Sequence, residues 1–508
     1  MLTRLKVTGF KNLVDVDVRF GPFTCIAGMN GVGKSNLFDA ILFMSALADD
    51  TFIEAAFSIN KKGGRGAEIR NLFHRVGSQY DEEMSFEAEM IVPSRGVDDL
   101  GQEAKASISF LRYSVTLAYN SDDSELSSGS IELKKEELNC VNVNKVREHL
   151  QFDYSSKWKN SALQGQGKLP FISTEGGSIK LHRDGERETT RVLNATRLPR
   201  TVLSTVNTSE TPTVLLARRE MQSWKLLHLE PSSLRNPDKF SHSSSPVKLG
   251  ADGSHLAATI YRLAKTNKTN GLPDSDSASQ VYSQISNRLA ELIEDVREID
   301  VDHDQKRELL TLQVTGWDGT IHPAQALSDG TLRFLALAAL ELDPEAQGLL
   351  CLEEPENGLA PDRIPAMLRL LQDIAMDVNF PIGEDNPLRQ VIINTHSPAV
   401  VSQVPDDSLL IAELEERVVS GKRFKAVTFS YLPNTWRVRK NDKSISIVSK
   451  GKLLAYLNPA LPPDTENETN GQSHKYSGKK QAQLKTTRVI DRPDLRSLSP
   501  YFSIQDED

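Results

Sequence analysis

The sequence predicts an α/β protein built around a phosphate-binding loop, with an antiparallel β subdomain and an inserted helical lobe. Three observations carry this expectation. The run Gly28-Met29-Asn30-Gly31-Val32-Gly33-Lys34-Ser35 fits the P-loop pattern G-x-x-x-x-G-K-[ST], and it lies between an apolar strand (Phe23 to Ala27) and a helix-like run (Asn36 to Leu47). A second apolar strand, Leu349 to Leu352, ends in the adjacent acids Glu353 and Glu354. From about Met84 to Leu181, apolar and polar residues alternate as they do in half-buried strands.

Taken in order, Met1 to Phe20 reads as two strands joined by Lys11-Asn12-Leu13, the second with Val14, Val16, Val18 and Phe20 on one face. In the loop that follows, glycines let the backbone curl so that its N–H groups face phosphates, and the next helix adds its positive end. Asn30, Gly31, Gly33, Lys34, Ser35 and Asn36 are therefore the candidate nucleotide contacts. Lys34 is expected on the β- and γ-phosphates of ATP, and Ser35 on Mg²⁺. A glycine- and charge-rich interruption follows at Lys61 to Gly66.

The segments MSFEAEMIV, ASISFLRYSVTLAY, GSIELKKEEL and GSIKLHR read as antiparallel sheet. Arginines then gather between 183 and 219 (Arg183, Arg187, Arg191, Arg197, Arg200, Arg218, Arg219). The interleaved acids Asp184, Glu186, Glu188 and Glu220 favour a solvated or interface face over a DNA groove. Ser243 to Pro246 is a loop. Two helices are expected at His255 to Lys265 and Val281 to Val296, the second with Val281, Ile285, Leu289, Leu292, Ile293 and Val296 on one face. Asp300-Val301-Asp302 reads as a polar turn, and the scattered His303 and His322 as surface residues. After Leu410, LLIAE, KAVTFSY and SISIV are strand candidates, and Pro459 to Lys485 reads as a loosely ordered tail.

At 508 residues the chain exceeds one ordinary core. It divides into 1–80, 81–304, 305–408 and 409–508. Hydrophobic content of 38% and charged content of 25% suit a protein with a sizeable core, and a net charge of −9 argues against a surface coated in basic residues. Cys25, Cys140 and Cys351 make neither a disulfide framework nor a metal cluster, and Cys25 and Cys351 lie in apolar strands, as in a reducing compartment. No stretch approaches the ~18 consecutive apolar residues that span a bilayer. The chain starts directly on a strand, so no membrane contact and cytoplasmic residence are expected.

The second half supplies the rest of a hydrolytic site. Glu353 is placed to hold hydrated Mg²⁺ and Glu354 to polarise an attacking water. Leu327-Ser328-Asp329-Gly330-Thr331-Leu332-Arg333 precedes an apolar helix, so Ser328 and Gly330 open a second anion-binding helix end. That end does not reach the phosphates from the same side as Lys34. His396, at the close of the strand Gln390 to Ile393 and its Asn-Thr extension, is positioned for a γ-phosphate or the attacking water.

The ordered set GMNGVGKS, LSDGTLR, LLCLEEPENGLAP and INTHSP resembles the ABC-type head of the RecF/SMC/OLD group of P-loop ATPases. It is most similar to the stand-alone bacterial AAA-type ATPases of that group. The resemblance implies that Ser328, Asp329 and Gly330 are the signature motif, Glu356 to Leu359 the D-loop, and His396 the switch histidine. It also places Phe10 to Asn12, in the run FKNL, near the base or ribose, which makes Asn12 a further nucleotide contact. It covers residues 1–75 and 305–408, and the lobe between only through LGADGSHLAATIYRL and the following helix. Two positions depart from the group: Glu353, where most relatives carry Asp, and Ala360, where many carry His.

The resemblance further implies a homodimer, or a larger assembly, with ATP sandwiched between Lys34 of one copy and Ser328 of the next. Relatives of this kind are often sensor subunits of bacterial anti-phage systems that control a separate nuclease or toxin. A RecF-like DNA-repair ATPase that binds nucleic acid is the alternative. An OLD-like nuclease is disfavoured, because nothing after His396 completes a Toprim domain and the sole downstream Asp-x-Asp is the chain-terminal Asp506-Glu507-Asp508.

Overall fold

Continuous apolar runs make the central sheet parallel and buried. In this computed structural model, which describes residues 1–59, 69–120, 130–184, 188–240, 247–266, 275–293, 295–419, 421–438, 446–457 and 488–492, that sheet has six strands. Their order is Lys225–Leu227, Gly348–Glu353, Arg389–Thr395, Phe23–Ala27, Leu409–Val419 and Lys422–Tyr431. The first five are mutually parallel, and the last turns back antiparallel. Every residue of Phe23–Ala27 and Arg389–Thr395 is buried. A strand covered on both faces needs an unbroken apolar run rather than alternation.

Register fixes where the site forms. Glu353 stands opposite Asn394, and Thr395 opposite Ala27. Three strands therefore end level, and the residues that follow them share one edge. Ligands of open α/β sheets bind at that edge.

The second sheet has eight antiparallel strands. It runs from Leu13–Arg19 through Leu2–Phe10, Glu83–Ile91, Phe110–Asn120, Ser130–Cys140, Ile172–Glu175 and Ser178–His182 to Thr189–Asn194. The strands from residue 83 onward thus extend a sheet that Leu2–Phe10 begins. Val16, Val18 and Phe20 face inward as expected, but Val14 is only half-buried. Leu13, paired with Phe10 beside the turn, takes the inward place. The P-loop helix Lys34–Leu47 packs on this sheet through Phe43, whose ring lies 5.8 Å from Phe10 and 5.5 Å from Phe86. Each such buried ring contributes roughly 1.5–3 kcal/mol.

The remaining described helices and a small third sheet correct several expectations. The helix at Val281 was expected to reach Val296, but it spans Ser275–Ala290, and Val296 opens the strand Val296–Asp304. Leu292 and Val296 stay buried, so the apolar spacing continues across a change of backbone. Asp300-Val301-Asp302 is mid-strand rather than a turn: Val301 is buried and both aspartates are exposed, a period of two. The arginine-rich run is only partly solvated. Arg183, Arg191 and Arg197 are exposed, whereas Arg218 is buried and donates to Ala48 O (3.0 Å), Val206 O (2.9 Å) and Asp49 Oδ1 (3.0 Å). It thereby satisfies the Ala48 carbonyl at the end of the P-loop helix. Glu220 is also interior and accepts from Trp224 Nε1 at 3.0 Å.

Lys61–Gly66, Arg187, Glu186, Ser243–Pro246, the start of SISIV and the Pro459–Lys485 tail lie outside the described residues. No helix among the described residues is long and apolar enough to cross a membrane.

Candidate nucleotide site

The phosphate loop keeps its shape through two glycines and one asparagine. Gly31 and Gly33 have φ of +80° and +111°, a region costly for other residues. A Cβ on Gly33 would lie 2.3 Å from Asn12 Nδ2, so a side chain there would also displace Asn12. Asn12 Nδ2 donates to Val32 O (3.0 Å), and its Oδ1 accepts from Asn36 Nδ2 (2.8 Å). Asn12 and Asn36 therefore clamp the loop from behind. Asn12 does not line the phosphate cavity but borders a neighbouring hollow of 460 Å³ with Lys11, His74 and Phe424.

No side chain caps the start of the Lys34–Leu47 helix, which leaves its first N–H groups for a ligand. Lys34 is buried, and its ammonium donates to Gly28 O (2.7 Å) and Met29 O (3.0 Å). Burial lowers its pKa, while Glu354, Glu353 and Glu356 pull the other way.

The acids face this loop. Glu353 ends its strand, and its Oε1 accepts from Ser35 Oγ and from Asn394 Nδ2 (3.2 Å). A hydroxyl and a carboxylate in direct contact are hard oxygen donors of the kind Mg²⁺ takes, so both residues fit that ion. The Glu353 side chain thus reaches Ser35 directly.

Glu354 stands just beyond the strand at φ +45°, an uncommon conformation for a side-chain-bearing residue. The turn is held by Glu354 N–H on Asn394 O at 3.0 Å. Its Oε1 lies 2.6 Å from His396 Nδ1, and its Oε2 accepts from Asn357 Nδ2 at 3.0 Å. Burial alone would raise the Glu354 pKa, but the bonds from Asn357 and His396 outweigh it, and the carboxyl is held below its ordinary range. Glu356 is buried and shifted upward by that burial, with Thr395 Oγ1 on its Oε1.

These groups surround a cavity of 440 Å³ lined by Asn30, Gly31, Gly33, Lys34, Ser35 and Asn36 on one side and by Glu353 and Glu354 on the other. His396 touches Glu354 without lining the cavity.

Ser328, Asp329 and Gly330 are not in its wall. Ser328 caps the Asp329–Leu342 helix by accepting from Thr331 N–H at 3.2 Å, and Arg235 pairs with Asp329. Gly330 packs so tightly on the loop after the acids that a Cβ would lie 2.6 Å from Gly358 O. Arg333 Nη1 donates to Asn357 O at 2.6 Å, which joins the Asp329–Leu342 helix to the loop that steadies Glu354.

Of the cavity wall, His228 and Asn394 were not singled out in the sequence, and Asn357 only as part of the Glu356 to Leu359 run. His228 lines the cavity because the short strand Lys225–Leu227 pairs with Leu350–Leu352 and delivers it beside Glu353. Three residues are too few to announce a strand by periodicity. Asn357 and Asn394 sit inside the motifs EEPENG and INTHSP, and that adjacency was the available signal.

A parallel core with a P-loop and paired acids at one edge, joined to a large antiparallel sheet, defines an α/β protein of the P-loop nucleotide-binding class. The family described as AAA ATPase domain matches residues 1–401, and the chain belongs to it. Among solved structures, an Smc head bound to the C-winged helix domain of ScpA is 12% identical over 85% of this chain and 98% of that one, with a TM-score of 0.44. The SMC head domain from Thermotoga maritima is 13% identical, covers 84% and 98% of the two chains, and has a TM-score of 0.35. An Smc head with an extended coiled coil, bound to the C-terminal domain of ScpA derived from Pyrococcus furiosus, gives 11%, 85% and 96%, and 0.38. No curated protein matches the sequence.

Proposed function

We propose that this chain hydrolyses ATP at a site shared between two copies, and that nucleotide occupancy is its output. The observation that carries the reading is the level finish of three strands, which sets Lys34, Ser35, Glu353 and Glu354 around one cavity while the Ser328-led helix end stays outside it. A helix end built for an anion but absent from its own phosphate pocket suits the ATP of a neighbour.

On binding, Lys34 exchanges the carbonyls of Gly28 and Met29 for phosphate oxygens. Ser35 and Glu353 would hold Mg²⁺, which would supply charge neutralisation of the phosphates. Glu354 orients a water and accepts its proton as the water oxygen bonds the γ-phosphorus and the bridging bond to ADP breaks. His396 and Asn357 hold the two oxygens of Glu354 in place. Catalysis of this kind is chiefly positioning and electrostatics.

In this reading residues 1–80 and 305–408 supply most of the head, to whose central sheet Lys225–Leu227, Leu409–Val419 and Lys422–Tyr431 also belong, and the rest of 81–304 and 409–508 carries its change of geometry outward. The resemblance to stand-alone ATPases of anti-phage systems supports a regulatory role toward a separate nuclease or toxin. Two experiments test these levels. Lys34→Ala should abolish ATP binding, measured by calorimetry; retained affinity would place the nucleotide elsewhere. Affinity purification of the native complex with and without ATP should return an effector protein in nucleotide-dependent amount. Recovery of nucleic acid alone, bound with steep salt dependence, would instead favour a DNA-repair clamp.

A further inference from the structure

A cavity of 280 Å³ lies where the strands Leu2–Phe10 and Leu13–Arg19 meet the hairpin of Leu409–Val419 and Lys422–Tyr431. Arg4, Arg19, Arg417 and Arg437, each from a different element, reach its wall, and Val427 and Phe429 add apolar surface. It shares no lining residue with the phosphate cavity. Arg437 Nη2 donates to Thr24 Oγ1 at 3.4 Å, near the start of the strand Phe23–Ala27, whereas the phosphate loop follows that strand's end.

The wall carries more positive charge than its own acids answer. Arg4 and Arg19 stand directly opposite each other across antiparallel strands, where like charges repel. Arg4 is neutralised by Asp17 (2.7 Å) and Glu89 (3.5 Å), and Asp17 is also approached by Lys6 (3.9 Å). The other three guanidinium groups have no carboxylate partner among the described residues. Arg19 donates to His149 O at 2.5 Å. Arg437, 2% exposed, donates to Arg19 O at 3.1 Å, to Asp407 O and to Thr24. Arg417 makes neither a hydrogen bond nor an ion pair among the described residues. Against these three cations the wall offers one further carboxylate, the exposed Asp15. Glu415 accepts from Thr428 at 3.0 Å but is not in the wall. Burial holds the pKa of Arg19 and of Arg437 below the ordinary range, to about 10 for Arg437. Both remain cations at neutral pH.

Buried cations need a counter-charge, and guanidinium forks match phosphate oxygens in pairs. We propose that this cavity is a second anion site, separate from the nucleotide pocket, in which Arg19, Arg417 and Arg437 hold the phosphate group of a small ligand. Asp15 and Asp17 in the wall and the net charge of −9 oppose a long polyanion, while a single phosphate group is not so opposed.

The test uses the full chain carrying Lys34→Ala, which disables the phosphate loop, titrated by calorimetry with inorganic phosphate and with AMP at constant ionic strength. Binding is expected, and Arg417→Ala in that background should weaken it at least about tenfold, the loss of one charge-assisted contact. Where both ligands depend on Arg417, tighter AMP identifies a phosphate ester and equal affinity identifies free phosphate. Without added phosphate, Arg417→Ala should melt at or above its parent, since it removes an unanswered cation; a clear drop would overturn the premise. Phosphate should raise the melting temperature of the Lys34→Ala chain and not of the double variant. Absent binding, binding that Arg417→Ala leaves unchanged, or affinity for an oligonucleotide without affinity for phosphate or AMP would each overturn the site. A wild-type chain that fails to bind ATP would remove the nucleotide reading alone, because this comparison is made with Lys34 already replaced.

Discussion

At the scale of single residues, the division of labour between two adjacent acids is the point of greatest consequence. Glu353 touches Ser35, while Glu354 turns away at positive φ toward His396 and Asn357. Glu354→Gln should keep ATP affinity, lose turnover by about 10² or more, and accumulate the ATP-bound form. Single-turnover hydrolysis measures this directly, and a normal rate would reassign the water-activating group. The types and order of these residues were legible in the sequence because each motif is short and contiguous. His228 was not, because its place depends on a strand pairing that spans more than a hundred residues of sequence.

Among the elements, the Asp329–Leu342 helix is held against the loop after the acids through Gly330 and Arg333. Gly330→Ala forces a Cβ onto Gly358 O and Leu359, at 2.6 and 2.7 Å, where backbone cannot yield cheaply. We expect a stability loss of about 1–3 kcal/mol and slower turnover with nearly unchanged ATP binding. Wild-type melting and turnover would remove this contact from the account.

A second element carries a titrating group. Glu136, in the Ser130–Cys140 strand, accepts from Val202 N–H (2.7 Å), Leu203 N–H (2.8 Å) and Tyr113 OH (3.2 Å). Burial outweighs these bonds and raises its pKa from 4.5 to about 7. The folded state thus holds the proton more tightly than the unfolded chain. The associated stability is complete below about pH 4.5 and lost as pH rises through 7. Relative to Glu136→Gln, wild type should lose on the order of 3 kcal/mol between pH 4.5 and pH 8 in urea unfolding. Parallel pH curves would show that Glu136 does not titrate there. Strand and helix types were mostly readable from apolar period, but the end of the helix at Ala290 was not, because Leu292 and Val296 remain buried beyond it.

For the whole molecule, the sheet order and the family match agree on a P-loop ATPase domain, and the proposed shared site rests on the Ser328 helix end lying outside its own cavity. Sequence motifs announced the head because its chemistry is local. They could not announce that Leu2–Phe10 and the strands after residue 83 form one sheet, since pairing partners are chosen by packing. The most direct measurement is the mass in solution of the Glu354→Gln protein with ATP and Mg²⁺, with Ser328→Arg added in a second sample. Two copies per particle in the first and one in the second, each loaded with nucleotide, is the predicted outcome. A wild-type particle that turns over ATP while staying monomeric at every concentration would contradict the shared site.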